Sequence, residues 1–270
     1  MNPTVTTDEW TGPDGEFDCE GSSEETDSES SKDDSSHEAN RGRVALIATP
    51  IGNLADLTLR ALERLRHSDV ICCEDTRHSL RLLQRYAVRR KTLVSLHDRN
   101  EDRRIDEIIS RARAGEAIAV LSDAGMPTVS DPGFRLVRAC IEAGVPVDVL
   151  PGPSAVLTAL AGSGLPTDAF YFGGFLPPKS GRRETEMREA LDRTCTSIYF
   201  ESPHRIARTL RVIATLSPDR PVCVARELTK KFETYHRGNA ADLATQFENS
   251  PRKGEMTLVI SGKPRRRSSE

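Results

Sequence analysis

The sequence predicts an α/β fold in two parts, with a mostly parallel sheet in the first and a mixed sheet in the second. Three observations predict it. From Arg43 onward, short Val/Ile/Leu-rich runs alternate with stretches of helical period. The runs VALIA, DVICC and AIAVL are apolar at successive positions, as strands covered by helices on both faces must be. The length after residue 40 suits two α/β domains of ordinary size.

In chain order, residues 44–48 read as a strand. Asp56 then stands as the N-cap of LTLRALERL, whose Leu57, Ala61, Leu62 and Leu65 share one face. Residues 69–73 and 92–96 are further strands. Asn100 opens a helix that turns Ile105, Ile108, Ile109 and Ala112 inward and ends at Gly115. A strand over 117–121 follows. Asp131-Pro132 reads as an N-cap and first-turn proline for a helix reaching Ala143, and 146–150 is the next strand. After PGPSA, AVLTALAG is a helix. The second part holds strands at 170–175, 197–200, 221–225 and 256–260, with helices near 182–194, 203–215 and 239–248. The expected division is an acidic tail over 1–41, α/β domains over 42–152 and 153–262, and a basic tail over 263–270.

Composition narrows the function. Residues 1–40 carry thirteen acidic residues and one basic one, whereas the remaining 230 hold 37 Lys+Arg against 28 Asp+Glu. The Ser/Glu/Asp-rich start cannot bury enough surface to offset its ordering entropy and is expected to be disordered. A basic body suits an anionic partner. No apolar run approaches the roughly 18 residues of a membrane span. Without an export signal, the six irregularly spaced Cys read as reduced thiols and the cytoplasm as the compartment. GxGxxG, GxxxxGK[ST], HExxH and paired Cys/His spacings do not occur, so no dinucleotide, P-loop or metal site is expected.

Ligands of open α/β sheets bind beyond the carboxyl ends of the strands. The segments there are TPIGNLAD, EDTRHS, SDAGMPTVSDPG and PGPSAV. Three are rich in Gly, Pro and small residues, which bring main-chain groups close to a ligand. Converging on one edge, they would suit a compact polar head such as an adenosine derivative.

TPIGNLADLTLRAL, EDTRHSLRLL, SLHDRNE, SDAGMPTVSDPG, LPGPSAVLTAL, GFLPPKSGRR, ARELTKKFET and KGEMTLVI, in this order, resemble the ribosomal RNA small subunit methyltransferase I family, within the tetrapyrrole methylase superfamily. Met126, where Thr is more usual, and Ala48 before TPIGN are the departures, and neither supplies chemistry. The resemblance implies two α/β domains that hold S-adenosylmethionine between them. It also implies methylation of the ribose 2′-hydroxyl of a cytidine in the decoding region of 16S rRNA, the small ribosomal subunit as partner, and a homodimer. The cofactor pocket it implies comprises Thr49, Pro50, Asp123, Ala124, Gly125, Met126, Pro127, Ser130, Pro151, Gly152, Pro153, Gly254, Glu255 and Met256. Candidate catalytic groups are Lys179, Asp75 and Glu201, with Asp75–Arg77 also readable as a bracing ion pair. Arg77, Lys179, Arg182, Arg183, Arg205 and Lys230 are the expected RNA contacts. The alternatives are a tetrapyrrole or diphthamide-precursor methyltransferase of the same fold, and a non-catalytic RNA-binding protein.

Overall fold

The computed structural model describes residues 40–263; the acidic segment 1–39 and the basic segment 264–270 lie outside the described residues. Within them the chain builds two five-stranded sheets. The first half runs β1 (Val44–Ile47), α1 (Leu59–Arg66), β2 (Val70–Cys73), α2 (Thr76–Arg85), β3 (Thr92–Ser95), α3 (Glu101–Arg113), β4 (Ile118–Leu121), α4 (Phe134–Glu142) and β5 (Val147–Leu150). The second runs α5 (Ala155–Ser163), β6 (Phe170–Phe175), α6 (Ser180–Asp192), β7 (Thr196–Glu201), α7 (Ile206–Leu216), β8 (Pro221–Arg226), β9 (Thr234–Asn239), α8 (Ala240–Asn249) and β10 (Met256–Ile260).

The first sheet has the order β3-β2-β4-β1-β5, and every pairing in it is parallel. Its three central strands are buried at all four positions, as their unbroken apolar runs require. One face packs Val44, Val70, Ile118 and Val120 against Ile108, Leu136 and Cys140 of α3 and α4. The other packs Ala45, Ile71 and Ala119 against Ala61 and Leu65 of α1 and Leu83 of α2. Each fully buried Ile or Leu contributes roughly 1.5–3 kcal/mol. Cys72, Cys73, Cys140 and Cys223 are buried packing atoms, and Cys195 is half-buried.

The second sheet, β6-β7-β10-β8-β9, is mixed: β6–β7 is parallel and the other pairings are antiparallel. Helices α6, α7 and α8 cover one face around Tyr199, Leu210 and Phe247. Helix α5 covers the other with Val156, Ala159 and Leu160. The α/β class and both sheet types are as the sequence predicts.

Three local readings need correction. Helix α1 is capped by Thr58, whose Oγ1 accepts from the Ala61 amide; Asp56 instead ends a short 3-10 turn capped by Asn53. Helix α4 starts at Phe134 with Gly133 at its N-cap, so Asp131-Pro132 is not its cap. The chain turns twice before that point, with φ of 74° at Thr128 and 63° at Ser130, and the Thr128 amide donates to the Pro132 carbonyl. Strand β9 was not expected, because TYHRGN has no apolar alternation. It pairs antiparallel with β8 along its whole length, and side chains tie it to α5: the Tyr235 hydroxyl donates to the Thr158 carbonyl at 3.2 Å, and Arg237 Nε donates to that of Gly162 at 3.0 Å. A Cβ on Gly162 would stand 2.4 Å from the Tyr235 ring, so only glycine admits this contact.

Candidate active site

Strands β1 and β4 are neighbours, so the segments that leave their carboxyl ends run side by side. They are tied at once. Thr49 and Gly125 exchange two backbone hydrogen bonds of 2.9 and 3.0 Å, Thr49 Oγ1 donates to the Ser122 carbonyl, and Ser122 Oγ donates to the Gly125 carbonyl. Gly125 has a φ of 85°, which a side chain would strain. Thr128 and Ser130, non-glycine residues in the same left-handed region, add strain of about 1 kcal/mol or more each, of the kind that collects at functional sites.

This strained loop forms one wall of a cavity of about 550 Å³, within the range of small-molecule sites. The opposite wall comes from the start of α5 (Ser154 to Val156), Phe175, the turn after β7 (Phe200 to Pro203 and Arg205), and residues 255–257. Ile51, Val156, Leu228 and Met256 make much of the lining apolar; Asp123, Ser130, Asp131, Ser154 and Glu255 add polar groups.

Of the expected cofactor residues, Asp123, Ala124, Gly125, Met126, Ser130, Glu255 and Met256 line this cavity. Thr49, Pro50 and Pro127 are buried behind the lining, where Thr49 spends its amide, carbonyl and hydroxyl on the loop. Pro151, Gly152 and Pro153 stand outside it, and the turn they form leads into the lining residues Ser154 and Ala155. Gly254 packs under Glu227 beside the rim.

The expected catalytic and RNA-contact groups separate. Glu201 is buried, and both of its oxygens are committed. Oε1 accepts from the Ser202 amide at 2.7 Å and pairs with Arg205 at 2.8 Å, while Oε2 accepts from Thr209 Oγ1 at 2.7 Å. Arg205 is thereby held in the cavity wall. Asp75 caps α2 and pairs with Arg77 at 3.0 Å. The Arg77 guanidinium and amide hold the Asp75 carboxyl down at about 2, which makes it a poor proton acceptor. The bracing ion pair is the geometry present. Lys230 Nζ pairs with Glu227 at 3.1 Å and Glu255 at 3.0 Å. Arg183 requires correction as a phosphate contact. It is buried, and its Nη1 donates to the carbonyls of Pro177 and Pro178, fixing the turn before α6. Lys179 and Arg182 stay exposed at the start of α6, away from the cavity lining.

Sequence reasoning missed Asp131. Read as a helix cap, it lies instead on the cavity wall. Burial, then the charges of Glu74 and Asp123, push its carboxyl up to about 7, with Asp98 adding to the rise and the Ser122 hydroxyl opposing it. Glu74 is raised in the same way, by burial first and then by Asp123 and Asp98. Phe175, exposed at the cavity mouth and tilted against Phe200 at 5.2 Å, was also missed. A strand ending in Gly-Gly-Phe was the available signal for it. Among the described residues there is no grouping of His, Cys, Asp and Glu that could hold a metal, and no helix long and apolar enough to cross a membrane.

The tetrapyrrole (corrin/porphyrin) methylase family matches residues 43–244. A ribosomal RNA small subunit methyltransferase I from Thermotoga maritima is 43% identical over 222 residues, covering 82% of this chain and 99% of that protein. The protein of the same name from Vibrio cholerae is 46% identical over 220 residues, covering 80% and 76%. Among solved structures, a cobalt precorrin-4 methyltransferase matches with TM-score 0.59 at 18% identity, covering 82% of this chain and 95% of that one. A Thermus thermophilus uroporphyrin-III C-methyltransferase complexed with S-adenosyl homocysteine matches with TM-score 0.54 at 19% identity, covering 80% and 96%. These last two establish the fold, and the sequence relatives and the family match establish the family. The chain belongs to the ribosomal RNA small subunit methyltransferase I family, within the tetrapyrrole methylases.

Proposed function

We propose that this protein transfers the methyl group of S-adenosylmethionine to the ribose 2′-hydroxyl of a cytidine in the decoding region of 16S rRNA, acting on the small ribosomal subunit in the cytoplasm as a homodimer. The observation that carries the reading is the cavity between the 122–131 loop and the wall formed by 154–156, 200–205 and 255–257, in a chain whose relatives are named as small-subunit rRNA methyltransferases. The lining fits the cofactor. Ile51, Val156 and Leu228 offer apolar surface to an adenine, and Asp123 on the lining, with the Glu74 carboxyl close enough to feel its charge, suits a ligand carrying ammonium and sulfonium charges.

The cofactor supplies an activated methyl group, so the protein positions two reactants and accommodates one proton. The sulfur–carbon bond breaks as the oxygen–carbon bond forms, and the hydroxyl proton leaves. Exposed Lys179 and Arg182 at the start of α6 offer cations to the RNA backbone.

The test is incorporation of labelled methyl from S-adenosylmethionine into small subunits, followed by mass spectrometry of the 16S rRNA. A ribose-methylated cytidine in the decoding region is expected; methylation of a base, or of a precorrin in place of RNA, would sink the reading. Gly125→Val is expected to weaken S-adenosylhomocysteine binding at least tenfold in calorimetry. A β-branched residue at a φ of 85° must distort the loop that Gly125 ties to Thr49. Unchanged affinity would place the cofactor elsewhere.

A further inference from the structure

A ribose hydroxyl is a weak acid, so its proton needs an acceptor that can take it up near neutral pH and is not already neutralised by a cation. The carboxylates around the cavity differ on this point. Glu201 is committed to Arg205, Ser202 and Thr209. Glu255 is paired with Lys230, and Asp75 with Arg77. Asp123 also lines the cavity without an ion pair, but its Oδ1 accepts from the Asp75 amide at 3.2 Å and the reading above gives its charge to the cofactor's ammonium. Glu74 is half-buried and is not one of the lining residues. Asp131 lines the cavity, and among the described residues no Lys or Arg forms an ion pair with it. Its neighbour in sequence faces the aromatic side of the cavity: a Cβ placed on Gly174 would lie 3.4 Å from Ser130 Oγ, which puts the Ser130 side chain next to the strand end that carries Phe175, and Phe175 and Asp131 line the same cavity. An exposed ring at such a mouth suits an unstacked base, and its ribose would then fall near the neighbouring carboxylate.

We infer that Asp131 is the catalytic proton acceptor, taking the 2′-hydroxyl proton of the target nucleotide as its oxygen attacks the methyl carbon. This rests on the 2′-O-methyltransferase reading above. The balance is complete without a further reactant. The oxygen gains the methyl and loses its proton to Asp131, the sulfonium becomes a neutral thioether, and the proton later passes to water. The protonation of Asp131 is set first by burial and then by the carboxylates of Glu74 after β2, Asp123 after β4 and Asp98 after β3, all of which favour the bound proton, with the Ser122 hydroxyl opposing them.

The experiment is single-turnover methyl transfer to small subunits by the full chain, measured from pH 5.5 to 9 beside calorimetry with S-adenosylhomocysteine. For the native chain the rate is expected to climb about tenfold per pH unit below about 7 and then level off. Asp131→Asn is expected to lose about 100-fold or more of the rate, to lose that inflection, and to bind S-adenosylhomocysteine within threefold of the native affinity. Asp131→Glu is expected to recover part of the rate and show an inflection again. Asp131→Asn retaining a rate within threefold overturns the assignment. Parallel loss of cofactor affinity also overturns it, by making Asp131 a cofactor contact, and so does an Asp131→Asn profile with the native inflection. Failure of the native chain to methylate subunits while binding the cofactor would instead defeat the functional reading, and is seen before any variant is made.

Discussion

Replacing Glu201 with alanine is expected to lower the unfolding free energy by about 3 kcal/mol, read from the urea midpoint at an unchanged denaturant slope. The side chain is buried where β7 ends, and it satisfies three donors at once: the Ser202 amide, Arg205 Nη2 and Thr209 Oγ1. Removing it leaves a fully buried hydroxyl and a largely buried guanidinium without their acceptor. The cost of an uncompensated buried charge far exceeds the net worth of the pair itself. Glu201→Gln keeps an acceptor oxygen and is expected to lose about half as much. A loss under about 1 kcal/mol for the alanine variant would mean that water or a neighbour replaces the carboxylate.

Asp131→Asn is expected to make the protein more stable at pH 8, by about 2 kcal/mol, even as it removes activity. The folded state raises this carboxyl from 3.8 to about 7. A raised carboxyl binds its proton more tightly when folded, so its contribution is fully present below pH 3.8 and is lost as pH rises through 7. The full linkage would amount to about 4 kcal/mol; water at the open side of the cavity reduces it to roughly half. Asparagine carries no charge to desolvate and should escape the penalty. The check is the difference in melting temperature between variant and native chain, least near pH 4, already about a third of its full size at pH 5 and reaching a plateau above pH 7. A difference that is flat across this range would show that Asp131 titrates normally. Stability gained at the expense of rate is the common signature of a strained functional group.

Much of the fold was legible because both halves obey simple periodicities. The unbroken apolar runs of β1, β2 and β4 demanded helices on both faces, and the structure supplies them. Strand β9 was not legible, since it is held by its backbone ladder with β8 and by Tyr235 and Arg237 reaching the carbonyls of α5, neither of which leaves an apolar alternation in the sequence. The approximate place of the cavity followed from the strand-end loops, and seven of the expected cofactor residues line it. Individual roles followed less well. A Ser-Asp-Pro-Gly run is also a helix start in local grammar, and it takes the positive φ values at Thr128, Ser130 and the N-cap Gly133 to leave Asp131 ahead of the helix on the cavity wall. Arg183 looks like Arg182 in sequence, yet helical periodicity turns one inward to two proline carbonyls and the other to solvent.

The cysteines buried in both cores carry a consequence for a protein that handles an alkylating reagent. Burial pushes the Cys140 and Cys223 thiols up to about 11 and Cys72 to about 12. At neutral pH roughly one molecule in ten thousand or fewer exposes a sulfur nucleophile at each of these places. Sulfur would otherwise compete with oxygen for an electrophilic carbon, and here it is kept chemically silent by the same close packing that holds the sheets together.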